Sequence, residues 1–390
     1  MTEGFQIVSN RCDRSACDIR FLNQQVADKA TAFHSSFPQY RPTPLRRLQA
    51  LAGQMGVGEI FVKDESYRFG LNAFKVLGGS FAIGQYIAQR LSRDLSELPY
   101  SVMTSPEVKG ELGELTFVTA TDGNHGRGVA WTANQLGQKS VVYMPKGSAP
   151  ERLENIRKEN SDASITDLRY DDTVRLAKQR AEQPNCVLVQ DTSWDGYTEV
   201  PSWILQGYTT MAQEAAEQLT EMPTHIFLQA GVGAMAGAVT GYYRARYGEN
   251  CPKIVLVEPY GAACIYESME ADDGQPHTAK GNGETIMAGL NCGSPCTVAW
   301  DILRDYGSYA LECGDDAAKL GMRTLRRFGI VSGESGASGI GAFLELAQSP
   351  EQKAKLGIGP DAKILFFSTE GNTDPESYEA ITAGVAAARA

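Results

Sequence analysis

Positive charge is scarce in this sequence. Lys and Arg total 36 against 47 Asp and Glu, and the net charge is −11. That balance excludes an extended nucleic-acid-binding surface, because phosphate contacts need clustered basic side chains. A local basic pocket for one phosphate remains compatible with it. Long apolar runs are missing too, and no stretch reaches the length needed to cross a bilayer. Met1-Thr2-Glu3-Gly4-Phe5 has neither the basic nor the apolar region of a secretory signal. The expectation is a cytoplasmic protein with no membrane partner and no nucleic-acid partner. Histidine is rare, with four in the chain. Neither Cys292-x-x-x-Cys296 nor Cys12-x4-Cys17 has structural-zinc spacing, so no metal site is expected. The eight cysteines lie mostly far apart and suit buried reduced thiols. No internal repeat and no low-complexity tract is visible.

What is present is the composition of a globular chain, 42% hydrophobic and 21% charged. Its 390 residues exceed one ordinary core, so two domains are expected. Residues 1–40 show weak periodicity and read as a surface wrap. Residues 45–55 read as a short helix, 59–65 as a strand and 94–114 as a polar connection. Strand-like segments recur at 115–120, 140–145, 186–191, 225–230, 253–259 and 363–367, with helical patterns between them. After 259 an irregular Gly-rich region and two helices precede the last strand. Near-continuous apolar strands alternating with helices imply α/β architecture, with mostly parallel sheets covered on both faces. In such sheets ligands bind beyond the carboxyl ends of the strands.

Five stretches at or near such ends carry chemistry-bearing residues. Gly70-Leu71-Asn72-Ala73-Phe74-Lys75-Val76-Leu77-Gly78-Gly79 sets one lysine at the mouth of an apolar helix. An ammonium there is costly unless paired or neutralised, which suits a Schiff-base lysine; a snorkelling lysine is the competing reading. Thr121-Asp122-Gly123-Asn124-His125-Gly126-Arg127-Gly128 offers donors for a carboxylate. Asp122 among them is either a base or a helix cap, while His125 and Arg127 read as bracing groups. Asp191, in Gln190-Asp191-Thr192, could receive an ammonium or form a turn. Gly231-Val232-Gly233-Ala234-Met235-Ala236-Gly237 could hold a phosphate at a helix N-terminus. With Glu258 the same loop could bind a dinucleotide instead, although Pro259 and the Gly-x-Gly-x-x-x-Gly spacing weaken that fit. Finally, Ser368-Thr369-Glu370-Gly371-Asn372 offers a hydroxyl for a ring nitrogen.

Taken in order over residues 40–375, these stretches resemble the fold-type II pyridoxal-phosphate enzymes, the group of tryptophan synthase β, threonine dehydratase and serine racemase. The resemblance implies two three-layer doubly wound domains: a large cofactor-binding one over 1–79 and 200–390, and a smaller one over 80–199 inserted in it. It implies pyridoxal 5'-phosphate as cofactor, a small amino-acid substrate and a homodimer. Lys75 would carry the cofactor and Asn124 would bond its ring hydroxyl. The backbone of Gly231, Val232, Gly233, Ala234 and Met235 would hold its phosphate, and Thr369 would face its ring nitrogen. Thr121, Asp122, Gly123 and His125 would clamp the substrate. Residues 120–128, 189–194 and 283–290 are similar to the ammonia-lyases of that family that cleave 2,3-diaminopropionate. That likeness implies α,β-elimination of both enantiomers to pyruvate and two ammonia. Lys75 and Asp122 would be bases on opposite cofactor faces, and Asp191, with Asp195 as the alternative, would receive the β-ammonium. A serine or threonine dehydratase, a nicotinamide-binding oxidoreductase and an amino-acid sensor are the rival readings.

Overall fold

The structure is a computed structural model and describes residues 5–12 and 17–385. The chain forms two compact units. The first comprises Met1–Asn23, Pro42–Tyr67 and Met211–Ala390, and the second Gln24–Arg41 and Arg68–Thr210. In chain order the strands are β1 (Gln6–Ser9), β2 (Leu45–Arg47), β3 (Glu59–Asp64), β4 (Thr116–Ala120), β5 (Lys139–Met144) and β6 (Asp162–Ile165). They continue with β7 (Cys186–Leu188), β8 (His225–Gln229), β9 (Lys253–Pro259), β10 (Tyr309–Cys313) and β11 (Lys363–Ser368).

The first unit holds a seven-stranded sheet in the order β1-β10-β9-β8-β11-β3-β2. Its inner strands pair in parallel, and only the edge strands β1 and β2 run antiparallel. Every residue of β8 is buried and β9 opens only at Lys253, so both sheet faces are covered. One face packs a core that includes Val62, Phe227, Val257, Leu311, Phe343 and Phe366. The second unit holds a four-stranded all-parallel sheet, β6-β5-β4-β7. This is the doubly wound α/β architecture the alternation predicts.

The grouping of segments differs from the expected division at 79/80 and 199/200. Residues 24–41, 68–79 and 200–210 belong with the second unit, for a packing reason. The helix Val76–Arg90 is continuous, and Gly84 leaves a groove that Phe33 fills: a Cβ there would sit 2.6 Å from its ring. Phe33 lies on the helix Gln24–Ser35, whose Ala27, Ala30, Phe33 and His34 are buried. The described residues among 1–40 are therefore no surface wrap: one piece is strand β1 and another is this helix, while 1–4 and 13–16 lie outside the described residues. Similarly, 94–114 is not a bare connection, because it folds into short helices that bury Leu95, Leu98, Met103, Val108 and Leu112. Residues 45–47 extend the sheet as β2 before the helix Gln49–Met55 begins. Strand β10 lies where only helices are expected.

Candidate active site

In the second unit, backbone turns deliver Lys75. Phe69 (φ 49), Gly70 (φ 73) and Asn72 (φ 62) are all left-handed, and such a run folds the chain tightly back. Arg127 braces this turn by donating to the Leu71 carbonyl at 3.1 Å while its other side meets Glu159. Lys75 is then the N-cap residue of the helix Val76–Arg90. Gly128, on the helix Asn124–Gln135, lets the two helices touch: a Cβ there would stand 2.8 Å from the Val76 Cα and 3.3 Å from the Lys75 carbonyl carbon. The lysine backbone is therefore gripped from two sides.

Its side chain is paired. Lys75 Nζ donates to Asp191 Oδ2 at 2.5 Å, and the side chains are 22% and 8% exposed. Burial and the positive end of the helix both disfavour an ammonium at this position. The net shift of the lysine is nevertheless upward, because the Asp191 carboxylate outweighs the burial. Burial likewise opposes the charge on Asp191, and the lysine partner holds its carboxyl below the usual range. Each group keeps the other ionised.

Asp191 is placed by Gln190 and Tyr197. The Gln190 amide pairs with Ala120 in both directions, accepting from its N–H and donating to its carbonyl, each at 3.0 Å. Tyr197 Oη accepts from the Gln190 N–H at 2.9 Å and donates to the Leu188 carbonyl at 3.0 Å. The Tyr197 ring stacks on Trp194, centroids 4.5 Å apart. Between them Asp195 is exposed, whereas Asp191 is buried and pairs with Lys75.

The loop after β4 lies in this unit as well. Thr121 accepts from the Gly123 N–H at 3.0 Å, and Asn124 opens the helix. Among the described residues the Asp122 side chain caps no helix, and Gly123 is the N-cap of the one that follows. Asp122 is half-buried, and burial raises its pKa, with Arg152 and Lys75 opposing and Asp191 reinforcing the shift. The electrostatic field therefore joins Lys75, Asp122 and Asp191. Arg152, whose side chain lies over Gly123, escaped the sequence reading, and nothing in its local pattern marks it. His125 is buried, with Nε2 at 2.8 Å from the Val189 carbonyl and Nδ1 at 3.8 Å from Asp191.

The first unit carries the remaining predicted residues. Gly233 (φ 89) caps the helix Ala234–Tyr247, whose first amides have no partner within the helix. Gly231 approaches so closely that a Cβ would lie 3.2 Å from the Gly289 carbonyl oxygen and the Leu290 Cα. Val232, Ala234 and Met235 are buried beside it. Such a glycine turn on a helix N-terminus fits a phosphate. At the end of β11, Thr369 Oγ1 accepts from Gln229 Nε2 at 2.9 Å. The Gln229 amide also donates to the Phe367 carbonyl at 2.8 Å, which fixes its orientation. The Thr369 proton is thereby left to point at a ligand acceptor, which fits a neutral ring nitrogen. Gln229, adjacent to the glycine loop, is a second residue the sequence reading passed over.

Glu258 has a different task from the one a dinucleotide needs. Both its oxygens accept backbone N–H groups, of Ile265 at 2.8 Å and Tyr266 at 2.6 Å, at the start of the helix Cys264–Ala271. It is fully buried, and burial pushes its carboxyl up to about 8. Wholly buried with both oxygens engaged, it presents no exposed edge to a ribose. Among the described residues no acidic, histidine or cysteine cluster could hold a metal ion, and no helix is long and apolar enough to cross a membrane.

Residues 37–369 match the family described as pyridoxal-phosphate dependent enzyme. The chain is 49% identical over 376 residues to the diaminopropionate ammonia-lyase of Salmonella typhimurium, covering 93% of each. It is also similar to two solved structures of the Escherichia coli diaminopropionate ammonia lyase. The complex with an aminoacrylate-PLP azomethine reaction intermediate matches with a TM-score of 0.88 at 44% identity, covering 97% of both chains. The complex with D-serine matches with a TM-score of 0.91 at 43% identity, covering 99% of both.

Proposed function

From the family to which this chain belongs, the pyridoxal-phosphate-dependent enzymes of fold type II, we propose that it eliminates ammonia from both enantiomers of 2,3-diaminopropionate. The products are pyruvate and two molecules of ammonia. One observation carries the reading: the part-buried Lys75–Asp191 pair, with Asp122 acting on the same lysine. The cofactor is pyridoxal phosphate. When bound, it supplies a sink for the electrons left on the substrate α-carbon.

Lys75 would hold the cofactor carbonyl. Gly231, Val232, Gly233, Ala234 and Met235 would take its phosphate, Asn124 its ring hydroxyl and Thr369 its ring nitrogen. The residues present fit the group: an unshared amide cradle, a hydroxyl proton fixed outward by Gln229, and a lysine whose charge rests on one removable partner. The large cofactor-binding domain and the smaller one keep these roles in the proposal, with Lys75 now assigned to the smaller unit.

Thr121, Gly123 and His125 line the loop assigned to the substrate. A base on one side takes the α-proton, and the Cβ–N bond breaks with its electron pair leaving on nitrogen as ammonia. Lys75 serves one enantiomer in this way and Asp122 the other, since bases on opposite faces reach protons of opposite hand. Asp191 keeps the β-nitrogen protonated, the form that leaves as neutral ammonia. Water then converts the unsaturated amine to pyruvate and the second ammonia. The proposal includes a homodimer in the cytoplasm.

The test is an assay of pyruvate and ammonia with D- and L-2,3-diaminopropionate and with D- and L-serine. Two ammonia per pyruvate from both diaminopropionates supports the reading. Faster release from serine would make the chain a serine dehydratase of the same family.

A further inference from the structure

His125 is the second residue of the helix Asn124–Gln135 and is 2% exposed. Its Nε2 lies 2.8 Å from the Val189 carbonyl oxygen, a group that can only accept. The proton of a neutral imidazole is therefore on Nε2, and Nδ1 carries a lone pair. That lone pair is buried and has no hydrogen-bond partner among the described residues. It stands 3.8 Å from Asp191 Oδ2, beyond hydrogen-bonding distance, on the side where Asp191 meets Lys75. Burial, followed by the field of Lys75, keeps the ring neutral against the pull of Asp191. A buried acceptor without a donor is costly, and each such group in a folded protein calls for an explanation.

Building on the function proposed above, we propose that His125 Nδ1 and Asp191 together receive the substrate β-ammonium, and that His125 sets the preference for a β-ammonium over a β-hydroxyl. The cation on Asp191 in the structure is the Lys75 ammonium. A lysine joined to the cofactor, or released from it as the neutral amine that can take a proton, presents no such ammonium, and the carboxylate is then open to a cation from the substrate. An ammonium has three N–H donors and can satisfy Asp191 and His125 at once. A hydroxyl has one proton and must leave one of the two buried acceptors unpaired, a strong basis for rejection. A neutral second acceptor also suits the chemistry. The nitrogen loses its positive charge as it departs, and a second carboxylate would oppose that loss, whereas an imidazole lone pair adds direction without charge.

Two measurements on the holoenzyme test this. The chain has only four histidines, so 15N spectra of wild type and His125→Gln assign the ring signals directly. The inference requires His125 protonated at Nε2 and bare at Nδ1, with Nδ1 shifting when substrate binds. A proton on Nδ1 overturns it. The second measurement is kcat/KM for 2,3-diaminopropionate against serine. His125→Gln can still reach the Val189 carbonyl but offers no acceptor at the Nδ1 position, while His125→Asn supplies an amide oxygen there and loses the Val189 bond. The expected result is a drop of about tenfold or more in the diaminopropionate-to-serine ratio for the glutamine variant, carried by KM and partly restored by asparagine. If both substrates fall together and the ratio holds, His125 is a brace and this inference fails while the lyase reading stands. A wild type that makes no pyruvate from diaminopropionate overturns both.

Discussion

Lys63 and Lys75 each face a carboxylate at close range, Glu214 at 2.7 Å and Asp191 at 2.5 Å, yet the two ammonium groups are held in different ways. Lys63 lies within β3, wholly buried, and gives all three of its N–H bonds to fixed acceptors: the Thr43 carbonyl, Glu214 and Gln218. Nothing is left over to react. Lys75 stands at a helix mouth, partly exposed, and among the described residues Asp191 is its one hydrogen-bond acceptor. Burial and charge pairing do not by themselves mark a reactive lysine. What separates the two is the number of committed donors and whether the partner can be exchanged.

Five substitutions and a pH profile probe that contrast. Lys75→Ala should have the largest effect, abolishing covalent cofactor capture and lowering turnover by more than about 1,000-fold, read by the absorbance of bound cofactor and by pyruvate release. Lys63→Ala should act on stability and not on chemistry. Removing one partner of a buried pair costs about 3–5 kcal/mol, measurable as a lower denaturant midpoint, while the folded fraction stays active. Asp122→Asn should cost one enantiomer about 100-fold or more and the other less than about tenfold. An equal loss on both would remove the two-base mechanism.

The pH profile follows from the same residue. A carboxyl works as a base only when ionised, and burial raises the Asp122 pKa. The rate on its enantiomer should therefore climb with pH through a value above the ordinary carboxylate range, a limb that Asp122→Asn lacks. The smallest effect belongs to Asp195→Asn. This aspartate is exposed, and activity should stay within about twofold of wild type, against a large loss for Asp191→Asn.

The order of strands and helices was legible because β8, β9 and β11 each carry an uninterrupted apolar stretch, at 226–228, 254–257 and 364–367. Lys75 stood out through the glycines and the apolar helix around it. Asp191 stood out too, but its pairing with Lys75 did not, because it lies 116 residues away and only the fold brings the two together. Gln229 and Arg152 were hidden for the same reason, since their roles come from neighbours supplied by other elements. The helix Asn124–Gln135 begins five residues before its apolar pattern at 129, since Gly126 and Gly128 are poor helix formers that close packing requires there. Strand β10 carries an acid, Glu312, inside its apolar stretch, which masked it. Lys63, near the end of β3, gave no signal at all, and that silence fits a structural role.

The most direct measurement is chemical trapping. Reduction of the cofactor-loaded protein with borohydride, followed by digestion and mass spectrometry, locates the lysine that carries pyridoxal phosphate. The cofactor mass on the peptide containing Lys75, with the Lys63 peptide unmodified, is the predicted result. Label on Lys63 or another lysine, or on none, would contradict the account.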